Sequence, residues 1–198
     1  MTRWTLSERR RTRAGALAWL LLLTPGSAAA HPHVFVDYAV TVLLAGDAVD
    51  GIRVTWTFDD LFSGFILQEF DRDRNQTLSP EEVRQIEQKH LTEFQRAGYY
   101  TTVNINGKAA VLPPARKFRA SVAKGLVTYE FELSVRAPLA TTTALEVLVD
   151  DPVYYIAYMP SAVTPQAQTA GVYALECRIV KDRAGVTADL IRCGVRRR

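Results

Sequence analysis

The chain has 198 residues, 48% of them hydrophobic, with 24 Lys+Arg against 21 Asp+Glu, three histidines and two cysteines. That apolar content is enough to bury a proper core. Five of the arginines and one glutamate lie in residues 1–30, leaving 19 basic against 20 acidic side chains beyond, so the rest of the chain has no basic excess with which to hold nucleic acid.

Residues 1–30 read as a secretory signal peptide. Arg3, Arg9, Arg10, Arg11 and Arg13 form a basic start, Ala14 to Leu23 an apolar run, Pro25-Gly26 a breaker and Ala28-Ala29-Ala30 a cleavage site of small residues. The run is about half of the roughly 20 apolar residues that a membrane-spanning helix needs. The twin arginines are not followed by the apolar residues that a twin-arginine route would require. Cleavage after Ala30 exports the protein to the periplasm without a transmembrane anchor and makes His31 the first residue.

Two of the three histidines then fall in His31-Pro32-His33. A free amine at His31 and its ring Nδ1 can chelate one ion, and strand parity places His33 and, further along, Asp37 on the same face. Pro32 has no N–H to lose, which closes the amino-terminal copper and nickel motif that uses deprotonated backbone amides. Binding here must use side chains and the amine; imidazole suits Zn²⁺, Ni²⁺ and Cu²⁺. The alternative is a frayed terminus with no role.

Val34, Val36, Tyr38, Val40 and Val42 recur with period two, as do Ile52, Val54, Trp56 and Phe58 beyond Gly46-Asp47, which predicts two neighbouring strands. From 58 to 97 the period changes. Phe58, Leu61, Phe62, Phe65, Ile66 and Phe70 fall at helical spacing, and so do Val83, Ile86, His90, Phe94 and Ala97, with Gly98 as a stop.

Between these helices lies Asp71-Arg72-Asp73-Arg74-Asn75-Gln76-Thr77-Leu78-Ser79-Pro80-Glu81-Glu82. Set against the twelve-residue EF-hand loop, Asp71, Asp73 and Asn75 take positions 1, 3 and 5. Thr77 would offer its carbonyl at 7, Ser79 a hydroxyl or water at 9, and Glu82 a two-oxygen carboxylate at 12. Alternating oxygen ligands around a tight turn are what Ca²⁺ requires. Gln76 replaces the expected glycine at position 6, where a left-handed residue costs about 1–2 kcal/mol. Ser79-Pro80-Glu81-Glu82 also reads as a capped helix start, which explains Ser79 and Glu82 but not the alternation before them.

Further strands are predicted at 101–105, 127–135, 145–149, 153–158, 172–180 and 186–193, with Asn106-Gly107 as a hairpin turn. Asp59-Asp60 and Asp150-Asp151 sit at element edges, where acids cap or turn; Tyr154 and Tyr155 read as packing residues. Cys177 and Cys193 flank the turn-like Lys181-Asp182-Arg183-Ala184-Gly185; in an exported protein they read as a disulfide clipping a hairpin, against two buried thiols. Arg196-Arg197-Arg198 reads as a solvated tail. The expected fold is α+β: an antiparallel β-sandwich over residues 31–198, one domain, with an EF-hand-like helix-loop-helix inserted at 58–97.

His31 to Asp37 after the signal, Trp56-Thr57-Phe58-Asp59-Asp60-Leu61-Phe62-Ser63, Phe70 to Asp73 with Ser79 to Glu82, and Asp151-Pro152-Val153-Tyr154-Tyr155 occur in an order that resembles one family of exported bacterial proteins of unknown function. Its members are labelled periplasmic components of ABC-type transport systems and are similar in occurrence to accessory proteins of nickel, cobalt and zinc transport. The resemblance implies metal handling and an inner-membrane metal transporter as partner.

Three functions compete. The first is a periplasmic metal-binding accessory protein, with Ca²⁺ on Asp71, Asp73, Asn75, Thr77 and Glu82 and a transition metal on His31, His33 and Asp37. The second is a non-catalytic β-sandwich interaction module with structural Ca²⁺. The third is a copper oxidative enzyme using His31 and the distant His90; His90, however, shares the apolar stripe of Val83, Ile86 and Phe94. No Ser/His/Asp or Cys/His set suggests itself, and an enzyme is not what the residues predict.

Overall fold

Apolar alternation carries the first two strands, β1 (Val34–Ala45) and β2 (Ala48–Phe58), whose even-numbered side chains from Val34 to Val42 and from Ile52 to Phe58 are buried. The computed structural model describes residues 33–142, 144–161, 173–181 and 188–197. After β2 come the helices α1 (Asp60–Phe70) and α2 (Pro80–Ile86), a π-helical turn (Glu87–Leu91) and α3 (Thr92–Arg96). The remaining strands are β3 (Thr101–Ile105), β4 (Lys108–Ala109), β5 (Arg116–Ala123), β6 (Leu126–Pro138), β7 (Ala144–Val149), β8 (Ile156–Pro160), β9 (Tyr173–Lys181) and β10 (Asp189–Arg197).

The strands form two five-stranded sheets, ordered β5-β6-β2-β1-β8 and β4-β3-β7-β10-β9. Every pairing is antiparallel except β1 with β8. Asn106 and Gly107 both take positive φ (50° and 77°), as the tight β3–β4 hairpin demands. Between the sheets lies one core: Trp56, Val54 and Phe131 from the first meet Val103, Leu145, Val147 and Ile191 from the second. The architecture is a β-sandwich with a helical insert, as the periodicities predict. Among the described residues no helix is long and apolar enough to cross a membrane.

The insert covers one end of the first sheet. Phe94 meets the Trp56 ring edge-on at 5.2 Å, and Phe70 and His90 pack near Tyr129. The buried face of α1 is not the whole stripe expected. Ser63, Ile66 and Phe70 point inward, whereas Leu61 and Phe65 stay 65% and 56% exposed. Ser63 explains the rotation: its Oγ accepts the Val127 N–H at 2.9 Å and donates to the Phe58 carbonyl at 3.2 Å, fastening the helix to β6 by a polar residue.

β10 runs over Asp189–Arg197 rather than 186–193, and two further departures have a physical reason. β5 is an edge strand whose one buried side chain is Phe118, so it has no apolar alternation to reveal it and is held by pairing with β6. β8 begins at Ile156 rather than 153, because the preceding residues fold around Asp151. Its buried carboxylate accepts N–H groups from Val153 (3.1 Å), Tyr155 (3.0 Å) and Ile156 (3.0 Å).

At the C-terminal end Cys177 and Cys193 are cross-strand partners on β9 and β10 and form a disulfide, as expected; their turn at 182–187 lies outside the described residues. Arg196 and Arg197 belong to β10, and Arg196 pairs with Glu176, so they are not a solvated tail. The signal peptide, His31 and Arg198 lie outside the described residues.

Candidate metal centre

The 71–82 loop is built from the ends of two helices. The Asp71 N–H closes α1 on the Leu67 carbonyl at 3.0 Å. Ser79 caps α2, accepting the Glu82 N–H at 3.4 Å while Glu82 reaches back to the Ser79 N–H at 2.8 Å: a capping box with proline at the first helical position. These caps bury Asp71 and Glu82 to 6% exposure each and bring position 1 close to position 12.

The side chains between them fold inward on their own backbone. Asp71 accepts from the N–H groups of Asn75 at 3.2 Å and Gln76 at 2.8 Å, through different oxygens. Asp73 accepts from the Asn75 N–H at 3.2 Å and its amide nitrogen at 2.8 Å. Asn75 Oδ1 accepts from the Thr77 N–H at 2.8 Å and its hydroxyl at 2.5 Å. Gln76 stands at φ 61°, the left-handed conformation expected of position 6.

Carboxylate oxygens of Asp71, Asp73 and Glu82 lie within 4.8 Å of one another. Oxygens sharing an ion at 2.3–2.6 Å are at most about 5.2 Å apart, so the three can hold one divalent cation of that size. The Glu82 carboxyl is held below the usual glutamate range by the N–H groups of Ser79 and Arg72 and the Ser79 hydroxyl, which keeps it charged. The contact from the Arg72 N–H has no side-chain signature and could not be read from the residues. Ser79 Oγ, expected at position 9, is committed to the cap. Arg72 and Arg74 place two positive charges within the loop and weaken its pull on a cation.

The N-terminal residues are arranged differently. His33 is anchored through its N–H to the Tyr155 carbonyl at 2.8 Å, with its ring 5.1 Å from the Tyr155 ring. His33 and Asp37 share the exposed face of β1, as parity predicts, but Phe35 stands between them. Four residues of strand span about 13 Å, whereas ligand atoms on one transition-metal ion lie within about 4–5 Å of each other. Asp37 is therefore too far along β1 to complete a site with His33. Among the described residues the one convergent group of three or more acidic, histidine or cysteine side chains is that of the loop.

His90 is half-buried between the insert and the first sheet. Its Nδ1 is 2.9 Å from the Tyr129 hydroxyl and its ring meets Phe70 edge-on at 5.2 Å; burial lowers its pKa below that of a free histidine. Asp59 is likewise structural, its two oxygens accepting from the N–H groups of Phe62 (2.7 Å) and Phe35 (2.6 Å).

No protein of curated function is similar in sequence to this chain. A solved structure of AChBP from Bulinus truncatus aligns with 83% of this chain and 87% of its own, at 12% identity and a TM-score of 0.31, a likeness too slight to bear on function. The family model described as "Protein of unknown function (DUF1007)" matches residues 16–190, across both sheets and the loop, and the chain belongs to that family.

Proposed function

We propose that this is an exported, non-catalytic metal-binding protein whose 71–82 loop takes Ca²⁺ and whose processed N-terminus, through the His31 amine and ring and His33, offers a place for Zn²⁺, Ni²⁺ or Cu²⁺. The observation that carries the reading is the convergence of Asp71, Asp73 and Glu82 on one point with Gln76 already left-handed. A periplasmic location is supported by the signal-like start and by the disulfide, which suits an oxidising compartment. Service to a transition-metal transporter of the inner membrane rests on the resemblance of the motifs alone.

Calorimetric titration of residues 31–198 with Ca²⁺ tests the loop. The arginines at positions 2 and 4 and the Gln76 backbone set the expected dissociation constant at about 10⁻⁴–10⁻³ M. Glu82→Ala should abolish the heat, and Asp73→Ala, which alters only an exposed turn, should weaken binding with no change in circular dichroism. No heat from the parent, or equal heats from all three proteins, would reject the site.

A second reading has its own observation. Glu82 closes the loop by accepting from three donors of the protein itself. The loop is then a self-clipped turn carrying the insert of an interaction module. In that case Glu82→Ala loosens the insert, Asp73→Ala is silent, and Ca²⁺ produces no heat.

A further inference from the structure

The outer face of the second sheet carries a depression of about 510 Å³ lined by Ala144, Glu176, Arg178, Arg192, Gly194 and Arg196 among others. Its floor is one register row, Ala144–Gly194–Glu176, across β7, β10 and β9. The row beside it is Glu146–Arg192–Arg178, so two arginines stand directly opposite one another on neighbouring strands. Like charges so placed repel. Glu146 engages Arg192 at 2.7 Å and Glu176 engages Arg196 at 2.5 Å, but Arg178 has no acidic partner among the described residues.

Gly194 needs an explanation of its own. Glycine inside a strand weakens it and often marks the close approach of a ligand or another backbone. Here neither conformation nor packing demands it. Its backbone is ordinary strand, and a Cβ built on it would meet nothing within 4 Å. What the missing side chain provides is an open floor between arginines. One residue along each strand, Cys177 and Cys193 also line the depression, and their disulfide fixes β9 against β10 beneath the arginines.

We propose that this depression is an anion-binding site for a phosphate group, held by Arg178 and Arg192 over Gly194. Guanidinium groups match phosphate oxygens two by two, and an anion supplies Arg178 with the counter-charge that Arg192 already has in Glu146. The group can come free in solution or on a lipid headgroup, and the chemistry at the arginines is the same.

The test uses oxidised residues 31–198 labelled with ¹⁵N and titrated with inorganic phosphate at constant ionic strength. The amide signals of Gly194 and Glu176 should shift saturably. Arg178→Gln should weaken the apparent affinity about tenfold, the value of one charge-assisted contact, and Gly194→Val, which fills the floor in a strand-compatible way, should abolish it. Flotation with phosphatidate-containing vesicles separates the sources: retention that both variants lose assigns a lipid headgroup, and free phosphate binding without retention assigns a soluble anion. Absence of both, or a Gly194→Val protein that binds as the parent does, overturns the proposal.

Discussion

Burial of His90 ties stability to pH. Its neighbours are apolar or already paired: Phe70 and Phe94 on the insert, Tyr129 on β6, and the Lys89–Glu69 ion pair at the rim. Tyr129 has its own pKa raised by burial, so its hydroxyl keeps its proton where it hydrogen-bonds Nδ1 of the neutral imidazole. The folded state resists charging His90, whereas the unfolded chain accepts a proton near the ordinary value of 6.5. The unfolded state thus binds more protons below that pH, and stability falls as pH drops. The contribution is complete above about pH 6.5 and shrinks down to the lowered folded value. Urea unfolding at a series of pH values should show a steeper acid loss for the parent than for His90→Gln; parallel profiles would mean that the imidazole does not charge during unfolding. His90 falls on an apolar stripe in the sequence, and in the structure it packs half-buried against the core; the partner on β6, 39 residues away, could not be read from local spacing.

At the scale of elements, legibility followed burial. Strands β1, β2 and β6 alternate because each buries one face, and they stood out in the residues themselves. Edge strand β5 did not, since its order comes from a neighbour's hydrogen bonds. The start of β8 was hidden by Asp151, whose three accepted N–H groups form a turn that β-favouring residues such as Val153 and Tyr155 conceal. In the loop, the spacing of Asp71, Asp73 and Glu82 was legible because ligand geometry recurs locally, whereas the distance from His33 to Asp37 needed the strand to be laid out. Helix α1 offers a direct measurement of which face is inward. Ile66→Ala should cost about 2–5 kcal/mol, as deletion of a buried side chain does, and Leu61→Lys less than about 0.5 kcal/mol. Equal losses in chemical denaturation would put Leu61 back in the core.

For the whole molecule, one core runs through both sheets and the insert, so unfolding should be a single event. Trp56 is the sole tryptophan of residues 31–198, fully buried among Phe94, Phe131 and Tyr158, with its indole N–H unpaired among the described residues. Its emission should be blue-shifted and should change together with far-ultraviolet dichroism. Reducing the Cys177–Cys193 bond should lower stability by about 3 kcal/mol while the two signals still coincide; separated transitions would mean that the hairpin or the insert unfolds alone. The parallel pairing of β1 with β8 has a consequence for the order of events in the cell. Val34 meets Ile156, 122 residues further on, so the first strand of the domain waits for one of the last. Closing a loop of that length is slow, and until it closes one flank of β1 is bare. A chain made N-terminus first therefore cannot complete its first sheet before β8 has left the ribosome.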